Sequence, residues 1–214
     1  VLRLYSHGLS VLKHFVDDLR RGLQPKYSRI KRLCLKLIAL DQKYLNVLLA
    51  TIHIRSVKGR LYTHMLNTAI VSLVFGQRVG MSKSELLDLG MTAFYQNLSW
   101  ALVNQVHSDA HGASLDTIQE IESYRVSNRE TMRDIRNHIA HLLLMIGGFN
   151  TKIISRLIVA YETQVATDTE IDTLYLADID VNFLTEIVTM ASSYDYMTDH
   201  ENPQTGALRG DEVI

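Results

Sequence analysis

Nine histidines in 214 residues make a metal site the first chemistry to consider, because imidazole is a common ligand for transition metals. His138 and His141 stand three apart, which makes them neighbours on a helix. Paired metal-binding histidines more often stand four apart with an acid between them, and here Ile139 and Ala140 intervene. His107, Asp109 and His111 could together offer a cation two imidazoles and a carboxylate. Their surroundings read as a polar loop of small residues over 107–114, and a plain loop is the expectation. Arg20, Arg21, Lys26, Arg29, Lys31, Arg32 and Lys36 put seven positive charges in one stretch with no acid among them, so an anion would be attracted there, although a solvated helix face carries the same pattern. Nucleophilic chemistry has less support. Cys34 lies among leucines that disfavour a thiolate, no serine occupies a Gly-x-Ser-x-Gly elbow, and there is no glycine-rich phosphate loop.

The elements that must position these groups are helices. Only Pro25 and Pro203 interrupt a chain whose apolar residues recur at three-to-four spacing, and a helix interior excludes proline. Ser82 with Glu85, and Ser127 with Glu130, read as capping boxes that start helices. Periodicity predicts helices near 8–21, 28–54, 60–79, 83–105, 115–124, 128–147, 151–165 and 182–197, the sixth ending at Gly147-Gly148. Polar stretches at 107–114 and 166–180 and a tail over 199–210 read as connectors.

Composition bounds the rest. A hydrophobic fraction of 47% is enough for a substantial core, and a formal net charge of −1 gives no global reason to expect nucleic acid as a partner. One cysteine cannot form an intrachain disulfide, which suits a reducing compartment, and a cytoplasmic location is the expectation. The longest apolar runs, such as Ile139 to Gly148, are broken by His141 and fall far short of the roughly 20 residues a membrane helix needs. The chain begins in helical pattern and ends without a terminating signal, so a piece of a longer protein is expected.

Several segments resemble one family. Tyr62-Thr63-His64-Met65-Leu66-Asn67-Thr68-Ala69, followed by Val79-Gly80-Met81-Ser82 and Glu85-Leu86-Leu87-Asp88-Leu89-Gly90, is similar to the opening of an HD-GYP domain, a branch of the HD phosphohydrolases. In that family a helix with one histidine ligand leads to a second helix ending in a His-Asp pair. Tyr95-Gln96 stands in the place of that pair, and Asn97-Leu98-Ser99 in the place of the Ile-Gly-Lys after it. Arg136-Asn137-His138 resembles the helix giving a further histidine. The His-His-Glu position reads Ala160-Tyr161-Glu162, and no Gly-Tyr-Pro signature lies within Thr163–Asp180. Ile187-Val188-Thr189-Met190-Ala191-Ser192-Ser193-Tyr194-Asp195-Tyr196-Met197-Thr198 resembles the family's closing metal-site helix, with Ser192 in the place of its aspartate and Asp195 retained. Ala207-Leu208-Arg209-Gly210-Asp211-Glu212 resembles the approach to its last helix.

The resemblance implies an all-α, HD-domain-like bundle of about seven to eight helices. Residues 1–40 form a helical lead-in, possible within the same domain, and 41–214 a degenerate HD-GYP-like domain. Active relatives hydrolyse cyclic di-GMP with two or three metal ions that activate water. Here His64 and His138 alone remain at ligand positions, so no resident metal, no cofactor and no catalytic residue are expected. Tyr95 and Tyr161 are expected to fill the emptied cavity and hydrogen-bond His64 or His138. The implied function is a non-catalytic signalling module in a bacterial regulatory protein that binds a protein partner or itself. The alternatives are a sensor binding cyclic di-GMP or a related phosphate on the 20–36 stretch, and a phosphohydrolase drawing ligands from His107, Asp109, His111 or Glu162. The non-catalytic HDOD branch of the same superfamily is a further reading of the same pattern.

Overall fold

The computed structural model describes residues 1–21, 23, 26–52, 60–96, 98–112, 115, 118–147, 151–166 and 182–198. Among them there are helices and no strands, so the fold is the expected all-α bundle. In chain order the helices are α1 (Leu2–Arg20), α2 (Tyr27–Ile38), α3 (Gln42–Thr51), α4 (Arg60–Arg78), α5 (Lys83–Gln96), α6 (Leu98–His111), α7 (Ile118–Ser127), α8 (Arg129–Gly147), α9 (Thr151–Ala166) and α10 (Phe183–Met197). Two expected helices are each split. The one over 28–54 breaks at Ala39-Leu40-Asp41 into α2 and α3, and the one over 83–105 divides into α5 and α6. Apolar spacing continues across both joints, so periodicity alone did not mark them.

The centre of the bundle is the α4–α5 hairpin. From Thr63 to Ile70 every residue of α4 is buried, and α5 is buried continuously from Leu89 to Gln96. Both runs carry buried polar side chains, Thr63, His64, Asn67 and Thr68 on α4 and Thr92 and Gln96 on α5, so the centre of the bundle is not purely apolar. α10 and α1 pack against α4, while α2 and α9 pack against α5. The turn between the central helices is fixed chemically. Gly80 takes φ 82°, and the Met81 N–H reaches back 3.0 Å to the Gly76 carbonyl, closing α4 as a glycine C-cap does. Ser82 then opens α5: its N–H donates to Glu85 Oε2 at 2.7 Å and its hydroxyl accepts from the Glu85 N–H at 3.3 Å.

The second expected capping box does not form. Ser127 ends α7 and donates its hydroxyl to the Ser123 carbonyl at 2.9 Å, while the Asn128 carbonyl accepts the first bond of α8 from Met132. A serine hydroxyl one turn from a free carbonyl bonds backwards as readily as it caps forwards. Residues 1–40 pack into the same core as the helices that follow. Tyr5, Leu12, Phe15, Ile30, Leu33 and Cys34 join one continuous core with Met65, Leu66, Phe94 and Tyr95. Gly90 lets α2 and α5 meet: a Cβ there would collide with Cys34 Sγ and Leu73. Residues 167–181 and 199–214, which hold most of the stretch read for a Gly-Tyr-Pro signature, the tail and the 207–212 match, lie outside the described residues.

Candidate functional site

At the core of the bundle His64 of α4 meets Asp195 and Ser192 of α10. Its Nδ1–H donates to Asp195 Oδ2 at 2.7 Å, and Nε2 lies 3.1 Å from Ser192 Oγ. Nδ1 faces the carboxylate, which can only accept, while the serine hydroxyl at Nε2 can either donate or accept, so both ring nitrogens are satisfied. Asn67, one turn along α4, donates through Nδ2 to Asp195 Oδ1 at 2.8 Å and to the Ile52 carbonyl at 3.1 Å. Tyr5 of α1 completes the chain by donating its hydroxyl to Asn67 Oδ1 at 2.8 Å. Trp100 of α6 lies flat on the imidazole, with ring centroids 4.7 Å apart and planes 4° from parallel. His64, Asn67 and Asp195 are all 0% exposed.

The helical spacing explains how two segments supply four of these groups. His64 and Asn67 stand three apart on α4, as do Ser192 and Asp195 on α10, so each pair projects from one face. The order of bonds, serine to imidazole to carboxylate, is that of a nucleophilic triad. What it lacks is access. Ser192 is 7% exposed on the inner face of a helix, with an indole over the imidazole. Every polar group is matched to a partner, so the arrangement behaves as a buried network that pins α1, α4 and α10 to one another.

The structure therefore brings together His64 and Ser192, two positions singled out by the resemblance, together with Asp195. It separates the others. His138 is exposed on α8, remote in character from the sealed His64. Tyr95 fills core space as expected at 1% exposed, but its ring packs on Phe15 and Tyr27, with centroids 6.0 and 6.4 Å away. It does not hydrogen-bond His64; its hydroxyl has no hydrogen-bond partner among the described residues. The aromatic ring against His64 is Trp100, which stacks on it without a hydrogen bond. Gln96 is buried at the end of α5. Ala160, Tyr161 and Glu162 lie on α9, and their side chains are outside the described residues. Among the described residues no three histidine, cysteine, aspartate or glutamate side chains gather as a metal would require.

Tyr95 borders a second buried polar group. Arg156 of α9, only 4% exposed, donates to Asp88 Oδ1 of α5 at 2.7 Å and to the Tyr27 hydroxyl of α2 at 2.6 Å, and Lys152 adds a 3.2 Å contact to Asp88 Oδ2. Burial raises the Tyr95 hydroxyl pKa well above its ordinary value. Burial likewise pushes the Cys34 thiol up to about 12, against the pull of Arg156, so neither group is a nucleophile near neutral pH.

The 107–114 loop is a correction. Residues 107–111 complete α6, and the His107 and His111 rings lie 4.6 Å apart as i, i+4 neighbours, with Tyr124 of α7 edge-on to His107 at 5.1 Å. The histidine faces are used in ring packing, which their spacing on a helix explains.

The basic stretch divides. Arg20 turns inward, donating Nη2 to the Ala101 carbonyl at 3.3 Å. Arg21, Lys26 and Lys31 are exposed. Arg29, Arg32 and Lys36 line one wall of a cavity of about 390 Å³ whose other wall is His7, Ser10 and His14 of α1. The α1 wall was missed in the sequence, although its spacing of three and then four residues repeats that of Arg29, Arg32 and Lys36 and could have disclosed it. Among the described residues no helix is long and apolar enough to cross a membrane. No protein-family model, curated protein or solved structure matches this chain.

Proposed function

We propose that this protein is a non-catalytic helical module of the HD-GYP-like kind its sequence resembles, acting in a bacterial regulatory protein by binding a protein partner or a second copy of itself. The observation that carries this reading is the closure of His64. Both ring nitrogens bond to protein groups and its face is covered by Trp100. A metal-activated hydrolytic site needs ligand nitrogens and carboxylates turned towards a space that water and substrate enter. Here Ser192 occupies Nε2, and Asp195 serves the imidazole and Asn67. An ion coordinates an imidazole through a nitrogen in the ring plane, so Ser192 or Asp195 would have to give way before one could bind. Such a centre favours a rigid scaffold over turnover.

The test is metal content and turnover measured on the same preparation. After purification from medium supplemented with iron, manganese and zinc, the expected result is less than stoichiometric metal and no hydrolysis of cyclic di-GMP with any of these ions. Two metals per chain, or turnover by the unmodified protein, would overturn the proposal. A monomer that holds its state at high concentration narrows the module to a heterologous partner.

A further inference from the structure

We infer that the cleft between α1 and α2 is a binding site for a small organic phosphate, its anionic group held by Arg29, Arg32 and Lys36 and its apolar part resting on Val11 and Leu33. This inference needs neither the family resemblance nor the absence of catalysis. It rests on the shape of the cleft, the charges that line it and the way its walls and floor are held. The cleft is concave, about 390 Å³, within the range of roughly 300–1,000 Å³ of small-molecule sites. Arg29, Arg32 and Lys36 line it, and among the described residues no carboxylate does. Among the described residues, Arg29, Arg32 and Lys36 have no acidic partner within ion-pair distance, although the protein as a whole carries a net charge of −1. The field of these three charges is therefore left for an external anion.

The polar walls are also held in place. Arg32 donates Nε to the Ser28 carbonyl at 3.2 Å, which fixes the plane of its guanidinium and leaves its two Nη groups to face an anion as a fork. His14 donates Nδ1–H to the Ser10 carbonyl at 2.6 Å, which fixes the ring across the cleft. Side chains anchored before binding lose less freedom when a ligand arrives. Beneath them Val11 and Leu33 are 9% and 1% exposed, giving a firm apolar floor. Arginines in a fork, a lysine and imidazoles above an apolar floor suit a phosphate joined to a flat or aliphatic group better than they suit a carboxylate alone.

The experiment is calorimetric titration of the full chain with pyrophosphate and with ADP in about 0.15 M salt, where long-range attraction is screened over roughly 8 Å. Saturable binding of one equivalent is expected, tighter for ADP than for pyrophosphate. Arg29→Glu/Arg32→Glu is expected to weaken both by at least about tenfold, since it removes two charge-assisted contacts. Arg21→Glu/Lys31→Glu makes the same change in net charge outside the cleft and is expected to stay within about twofold of the unmodified protein. Circular dichroism on both variants checks that the helices persist. Equal weakening by the two variants would reduce the effect to net charge and overturn the site. Equal affinity for pyrophosphate and ADP would overturn the role of Val11 and Leu33. Binding to a single-stranded RNA or to anionic vesicles without saturable binding of either small probe would overturn the ligand class.

Discussion

His64 and Asp195 are 131 residues apart in the chain and 2.7 Å apart in the folded protein, both wholly shielded from water. The contact ties the second half of the chain to the centre of the bundle through a carboxylate that also accepts from Asn67. Its strength depends on each partner answering the other. Removing one leaves a buried polar or charged group without its match, which costs more than the intact bond contributes.

Asp195→Ala is therefore expected to lower unfolding stability by about 3–5 kcal/mol, the range for breaking one side of a buried pair. His64→Ala/Asp195→Ala should cost less than the two single changes summed, by about 1–3 kcal/mol of coupling. Urea unfolding of the four proteins measures this, and strict additivity would show that the two side chains do not interact in solution.

Tyr95 separates two properties of one side chain. Its ring fills the space between Phe15 and Tyr27, while its buried hydroxyl has no hydrogen-bond partner among the described residues. Tyr95→Phe should be neutral or stabilising by about 1 kcal/mol, since it removes an unsatisfied polar atom. Tyr95→Ala should cost about 3–5 kcal/mol through loss of a large buried ring. A loss above about 1 kcal/mol on Tyr95→Phe would mean that the hydroxyl is bonded in solution.

Cys34 is expected to resist alkylation. Its thiol is buried and pushed up to about 12, so at pH 8 only about one molecule in ten thousand carries the reactive thiolate even before access is counted. Iodoacetamide at pH 8 should label the folded protein far more slowly than the protein in denaturant, with label read by mass. Equal rates would place Cys34 at the surface.

The α5 capping box predicts a dependence on acid. The Ser82 hydroxyl and backbone N–H beside Glu85 hold its carboxyl below the usual carboxylate range. A group whose pKa is depressed on folding adds stability above its unfolded pKa, and that stability is lost as pH falls through the folded value. Glu85→Gln should therefore lower the melting temperature at pH 7 and have little effect at pH 3. A gap between the two proteins that is the same at both pH values would show that the carboxylate's charge plays no part in the cap.

The helical class and most helix ends were legible in the sequence because their causes are local. The three-to-four apolar spacing gave the bundle, and Gly80, Ser82 and Glu85 ended one helix and opened the next through bonds spanning only a few residues. Where local rules compete they did not decide. Ser127 bonds backwards where a cap was expected, and the joints at Ala39-Leu40-Asp41 and after Gln96 leave no break in apolar pattern.

Partnership was beyond reach of the sequence. Spacing places His64 beside Asn67 and Ser192 beside Asp195, but only the packing of α10 on α4 unites the pairs, and only α6 brings Trp100 over the imidazole. The sequence likewise determines a run of seven positive charges at 20–36, while the tertiary structure sends Arg20 inward and sets Arg29, Arg32 and Lys36 opposite His7 and His14. The physical reason is the same in both cases. Periodicity states which face of a helix a residue occupies, whereas burial and pairing depend on which other helix covers that face, and that is settled by packing across the whole core.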